Sequence, residues 1–224
     1  MALFVIVALY VVIGLLAAAG TVALCRKMLS AKAEQVFFGL LLVPVAGVYE
    51  LDGAHTSVEF VGRHLMITKV RGRFSDVRGR ITIGEEPESS HVEVEIGAAS
   101  LSSGNDDRDA HLRSPDFFDV ERYPTITFRS TAVKALPDST WEVIGDLTVR
   151  DTTRSVTLQV DFDGADVSPT GDERIGFSAA TDINREDFGL TWNVALETGG
   201  MLVGKTARIE LSDQAIAASH AAVA

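Results

Sequence analysis

The chain has 224 residues, 46% of them hydrophobic and 23% charged, which is enough for one domain with an appendage, or two small domains, and too apolar for disorder. The net charge of −11 is uneven: Arg26, Lys27 and Lys32 outnumber Glu34 in residues 1–48, so the remainder is more acidic than the whole. That balance excludes nucleic acid as a partner, and it argues against docking flat on anionic lipid except through the basic N-terminal stretch.

The first element in chain order is the uncharged run from Ala2 to Leu24. At about 1.5 Å per residue it crosses a hydrocarbon core of roughly 30 Å. A cleaved signal peptide opens with positive charge and has a shorter apolar stretch, so a retained transmembrane helix over 2–24 is expected. Cys25, the only cysteine, closes no internal disulfide. It follows Leu24, where lipoprotein processing needs a small residue, and reads as a juxtamembrane cysteine with acylation a minor alternative.

A second apolar run, Val36 to Val48, is interrupted by Gly39 and Pro44. It fits a tilted second span, an interfacial segment, or the apolar region of a signal peptide if translation starts at Met28. In that last case Lys32 lies in the basic region and Val45-Ala46-Gly47 is the cleavage site. Basic residues between the runs put that loop in the cytoplasm. If both runs span, the acidic domain lies outside; if only the first spans, it stays inside. The expected localisation is membrane-anchored, with the extracytoplasmic side favoured of the two.

After Gly47 the pattern changes to period two, the mark of half-buried strands. Segments 48–61 and 68–83 are the first strand regions. Val92, Val94 and Ile96 then alternate with His91, Glu93 and Glu95, and Ile126 and Phe128 with Thr125, Thr127 and Arg129. Trp141, Val143, Leu147 and Val149 alternate around Gly145. Val156 to Phe162, Ile175 to Ala179, and Ala207, Ile209 and Leu211 complete the series. About eight strands suit a small closed barrel; a two-sheet sandwich also fits, and the strand length favours the barrel. Asp106 to Phe118 breaks the alternation as a helical turn or lid, and Asn184 to Asn193 as a bend. The expected organisation is a membrane segment over 1–48, a β-barrel domain over 49–212 and a flexible Ala-rich tail over 213–224.

Several motifs resemble a known family. Tyr49-Glu50-Leu51-Asp52, His55-Thr56-Ser57-Val58-Glu59-Phe60 and the stretch from Arg63-His64-Leu65 to Gly72-Arg73-Phe74 are similar to the opening of the YceI-like family. Asp107-Arg108-Asp109-Ala110-His111-Leu112, Phe117-Phe118 and Tyr123-Pro124-Thr125-Ile126-Thr127-Phe128 resemble its middle signature, and Asn184 to Asn193 its late motif. The resemblance runs from about Gly47 to Leu211 in family order. It implies an all-β, extended antiparallel β-barrel, lipocalin-like, with a short helical lid, whose interior binds a polyisoprenoid or other long-chain lipid. The transmembrane helix ahead of it is a departure, since family members are commonly soluble, whether cytoplasmic or exported.

No catalytic, metal or cofactor site is expected. His55, His64, His91 and His111 lack metal-ligand spacing. Asp106, Asp107, Arg108 and Asp109 read as a solvated cluster in which Asp106 or Asp107 caps the short helix and Arg108 pairs with an acid. No nucleophile elbow, P-loop or dinucleotide fingerprint is present. The chain is therefore read as a non-enzyme whose ligand is an apolar lipid, with the membrane as a partner through the N-terminal helix and a homodimer left open. The expected ligand-facing residues are Phe60, Leu65, Phe74, Phe117, Phe118, Phe128, Phe177 and Trp192. The alternative is a structural or interaction domain whose barrel is filled by its own side chains.

Overall fold

The computed structural model describes residues 44–65, 67–136, 140–197 and 199–218. The run at 2–24 and most of the run at 36–48 lie outside the described residues. Among the described residues no helix is long and apolar enough to cross a membrane. The end of the second run is extended: Gly47 and Val48 open the first strand, β1 (Gly47–Leu51).

The order continues with β2 (Ser57–His64), β3 (Thr68–Phe74), β4 (Val77–Ile83), β5 (His91–Gly97) and β6 (Leu101–Ser102). One helix, α1 (Asp106–Arg113), precedes β7 (Thr125–Ala135), β8 (Thr140–Val149), β9 (Thr152–Val167), β10 (Glu173–Asn184) and β11 (Val203–Ala217). Every strand pairing is antiparallel. The order β1-β4-β5-β7-β8-β9-β10-β11 closes on itself because β11 also pairs with β1. Eight strands thus form a closed ring, which leaves no unpaired edge there.

The other three strands continue walls that are already in the ring. β11 pairs with β2 through Val203–Ser212 and with β1 through Ala215–Ala217, so β1 and β2 are one ribbon interrupted at 52–56. β4 and β3 are a second, broken at Ser75 and Asp76, and β5 and β6 a third, broken by the 3-10 turn Ala98–Ser100. The expected strand regions 48–61 and 68–83 therefore each divide in two. The first gap is held by hydrogen bonds: the Asp52 N–H donates to the Gln214 carbonyl at 2.8 Å, and the Thr56 hydroxyl donates to the same oxygen at 3.4 Å. Hydrogen bonds from Arg174 and then His55 hold the Asp52 carboxyl at about 2.

Period two puts Ala207, Ile209 and Leu211 inside, and the same phase carries Asp213, Ala215 and Ala217 inward. The expected flexible tail is corrected here: residues 213–217 are strand, paired with β10 at Ile175↔Ala215 and with β1 at Tyr49↔Ala217. Ala215 is fully buried beside Tyr49 and Ile175, so its small side chain fits a crowded level of the barrel.

The register also sorts the connections into two ends. The β2–β3 hairpin tip, the β8–β9 turn, the 185–202 segment and the α1 connection lie at one end, the mouth. The end of β4 and start of β5, the end of β7 and start of β8, and the turn at 168–172 lie at the other.

Candidate functional site

The interior is not uniform along its length. Towards the closed end, Tyr49, Ile81, Phe162, Ile175 and Ala215 form one buried cluster, and Phe128, Val133 and Val143 another. Trp141 and Phe162 meet edge to face at 6.4 Å, and Phe162 and Phe177 meet tilted at 5.3 Å. This half is filled. Towards the mouth there is a cavity of about 670 Å³, within the size range of small-molecule sites. β2, β3 and the mouth ends of β8, β10 and β11 wall it, while β1, β4 and β9 contribute nothing to its lining. The breaks between β1 and β2 and between β3 and β4 coincide with the boundary between the halves.

Most of the lining is hydrocarbon. Val58, Val70, Ile96, Ile126, Leu147, Val149, Ile183 and Ile209 face the space with Phe188 and Leu190. Gly62, Gly204 and Ala207 keep the upper walls thin. Phe60 lies flat across Gly72 of the paired strand: a Cβ at residue 72 would overlap the Phe60 ring. That close approach keeps the ring against the wall and out of the lumen.

Five of the eight expected residues meet in this cavity. Phe60, Phe74 and Phe118 run along one wall with centroids 5.8 and 5.6 Å apart. Phe117 and Trp192 stand 5.3 Å apart with the His111 ring against both, at 5.1 and 4.5 Å. The other three do not belong. Leu65 sits at the hairpin tip with φ 53° and is exposed. Phe128 and Phe177 point inward as expected, but at the filled level, where Phe128 folds over Gly145 and Phe177 packs beside Phe162.

The lid is fastened by polar groups. The cap of α1 is Asn105, not Asp106 or Asp107: its side chain accepts from the Arg108 N–H at 2.9 Å. Among the described residues Arg108 pairs with no acid; it donates to the Ser103 hydroxyl at 2.7 Å and to the Ser103 carbonyl at 2.9 Å. Asp109 is buried, which raises its carboxyl, but bonds from the Ser103 hydroxyl and N–H outweigh that and leave it lowered. Arg113 donates to the Ala99 carbonyl at 3.0 Å, and Arg150 donates to Phe117 and Gly189 carbonyls at 3.2 and 3.4 Å. These bonds tie lid, turn and late segment together around the mouth.

Sequence reasoning missed two interior charges. Arg185 lies in the 3-10 turn Arg185–Phe188, only 5% exposed, and lines the cavity. Its Nε donates to the Gly204 carbonyl at 2.9 Å and its Nη1 to the Leu190 and Trp192 carbonyls, while Nη2 is buried without a partner. Burial lowers its pKa and outweighs the opposing effect of the neighbouring Glu186 carboxylate. The second is Asp213, just below the cavity where β11 changes partner from β2 to β1. Burial pushes its carboxyl up to about 7 against a bond from the Ser57 N–H, and Oδ1 has no partner. Phase alone flags Asp213, since it continues the inward face of β11; nothing in the sequence marks Arg185 as buried. Among the described residues no group of three His, Asp or Glu side chains is placed to hold a metal.

Comparison with known proteins agrees with this architecture. Residues 49–215 match the YceI-like domain. The chain belongs to the YceI-like family. A UPF0312 protein of Staphylococcus aureus is 37% identical over 169 residues, covering 73% of this chain and 94% of that one. A UPF0312 protein of Pseudomonas putida is 40% identical over 149 residues, covering 65% and 78%. Among solved structures, the Campylobacter jejuni YceI protein is 26% identical, with a TM-score of 0.61 over 70% of this chain and 90% of that one. A polyisoprenoid binding domain from Saccharophagus degradans shares the fold at 15% identity, with a TM-score of 0.58 over 78% and 100%. YceI-like motifs thus sit on the eight-stranded ring and lid described above.

Proposed function

We propose that this YceI-like protein binds a long apolar lipid, of the polyisoprenoid or prenyl-quinone type, in the mouth half of its barrel, and acts as a carrier, store or sensor and not as an enzyme. The observation that carries this is the hydrocarbon-lined space of about 670 Å³ at the mouth, beside a half of the same barrel that is filled. Each methylene buried there contributes about 0.8 kcal/mol, and a prenyl chain asks for little else. The name of the Saccharophagus domain supports the ligand class, and the uncharged run at 2–24 supports a membrane tether.

The test is titration of the delipidated full chain with prenyl alcohols of increasing length. Affinity should rise with each added unit and level off once the chain reaches the filled half. No binding at any length would contradict the proposal and leave the self-filled barrel as the better reading.

A further inference from the structure

The mouth carries apolar side chains on its outside as well as within. Six large hydrophobic residues are well exposed among the described residues, and four of them, Leu65, Ile67, Val194 and Met201, lie at the mouth. Ile67 is 79% exposed. They are contiguous: the Leu65 N–H donates to the Leu202 carbonyl at 2.7 Å, the Leu202 N–H donates to the Val194 carbonyl at 2.9 Å, and Met201 bridges to Ala195. Single exposed apolar residues are ordinary on a protein surface; a group held together beside a cavity is not.

The charge on the same hairpin runs against that of the chain. From Phe60 to Phe74 there are four cations, Arg63, Lys69, Arg71 and Arg73, and no acid, in a chain of net charge −11. All four are exposed. Arg71 pairs with Glu210 at 2.8 Å and Glu59 at 3.6 Å. Arg63, Lys69 and Arg73 have no carboxylate within 4 Å among the described residues. The opposite end, its connections and the adjoining ends of β9 and β10, carries Glu85, Glu86, Glu88, Asp166, Asp172 and Glu173. The acidic balance of the whole domain therefore hides a local exception. Apolar tips flanked by long cationic side chains are what enters the interface of an anionic bilayer.

We propose that the β2–β3 hairpin and the 194–201 loop dock the mouth on an anionic lipid bilayer. Leu65, Ile67, Val194 and Met201 enter the interface, and Arg63 and Lys69, paired beside the hairpin tip, face the headgroups. The inference rests on the outer surface and does not depend on what fills the cavity. Residues 25–46 reach at most about 75 Å when extended, against roughly 50 Å for the longest strand, so a chain anchored through its first run can turn its mouth to the same membrane.

The experiment uses the full chain carrying Cys25→Ser, with an environment-sensitive dye at either Ile67→Cys or Thr170→Cys. Thr170 is an exposed turn residue at the opposite end. Each is reconstituted in phosphatidylcholine vesicles with and without phosphatidylglycerol, and lipids with a doxyl quencher in the acyl chain are added. In anionic vesicles the dye at 67 should be quenched severalfold more than the dye at 170. Neutral vesicles, or Arg63→Gln with Lys69→Gln, should reduce that quenching by about threefold or more. Equal quenching at the two positions, or quenching at 67 that ignores lipid charge and survives both substitutions, overturns the proposal. So does a dye at 67 that is shielded from water yet unquenched by the doxyl lipids, because a protein surface then covers the patch.

Discussion

In the filled half of the barrel, Phe162 and Phe177 meet at 5.3 Å with Tyr49, Ile81 and Ile175 closed around them. In the mouth half, Phe60 and Phe74 lie 5.8 Å apart along one wall and leave about 670 Å³ open beside them. Apart from the bulges at Ser130/Ala132 and Gly176/Phe177, the strands of both halves alternate in the same way, so alternation decides only which residues face the lumen. Whether the lumen is open at a given height depends on how many large side chains share that level. Trp141, Phe162, Phe177 and Tyr49 crowd one, while Gly62, Gly204 and Ala207 thin the walls of the other. The divided ribbons fall at the boundary, where β11 passes from β2 to β1.

Truncation should separate the halves most sharply. Phe162→Ala removes a ring that is 7% exposed among packed neighbours and should cost about 3–5 kcal/mol. Phe60→Ala removes a ring that already faces open space and should cost roughly 1–2 kcal/mol. Urea denaturation of both variants measures the gap, and equal losses would erase the distinction.

The next effect lies at the boundary. The folded Asp213 carboxyl sits at about 7, above the ordinary value of 3.8, so its contribution to stability is fully present below 3.8 and is lost as pH rises through about 7. Between about pH 4 and pH 8 this group alone should remove on the order of 2–4 kcal/mol. Asp52, lowered to about 2, titrates in the opposite sense and only in stronger acid. Asp213→Asn should flatten the slope above pH 4 and be more stable than the parent at pH 8. An unchanged slope would mean that Asp213 is hydrated in the folded state.

A smaller change sharpens the mouth itself. Gly72→Ala forces the Phe60 ring off the wall and into the lumen. Long-chain affinity should fall about tenfold, near 1.4 kcal/mol, with a lesser loss of stability. Calorimetric titration beside a thermal melt reads both quantities.

These contrasts also show what could be read from the residues. The ring of about eight strands follows from period two, because each lumen-facing residue is apolar in sequence before it is buried in the fold. Height along the barrel does not follow. Phe60 and Phe128 have the same phase, and only their packing, Phe60 against Gly72 and Phe74 and Phe128 against Gly145, Val133 and Val143, puts one in the cavity and the other in the filled half. Leu65 was misplaced for a local reason, since a left-handed hairpin tip turns it away from the strand phase. Arg185 was hidden because a buried arginine bonded to three carbonyls looks, in sequence, like any surface arginine. Asp213 was legible by phase and was lost only because its Ala-rich surroundings suggested a frayed end.

The central claim is that lipid occupies the mouth half and stops at the filled half. It is tested most directly by irradiating the full chain with a prenyl alcohol that carries a diazirine near the far end of its chain, and mapping the labelled residues by mass spectrometry. The account predicts labels on Phe74, Ile96, Ile126 and their neighbours around the cavity, competed away by unmodified prenyl alcohol. Labels concentrated on Phe128, Phe162 or Phe177 would show the chain passing through the level described here as closed, and would contradict it.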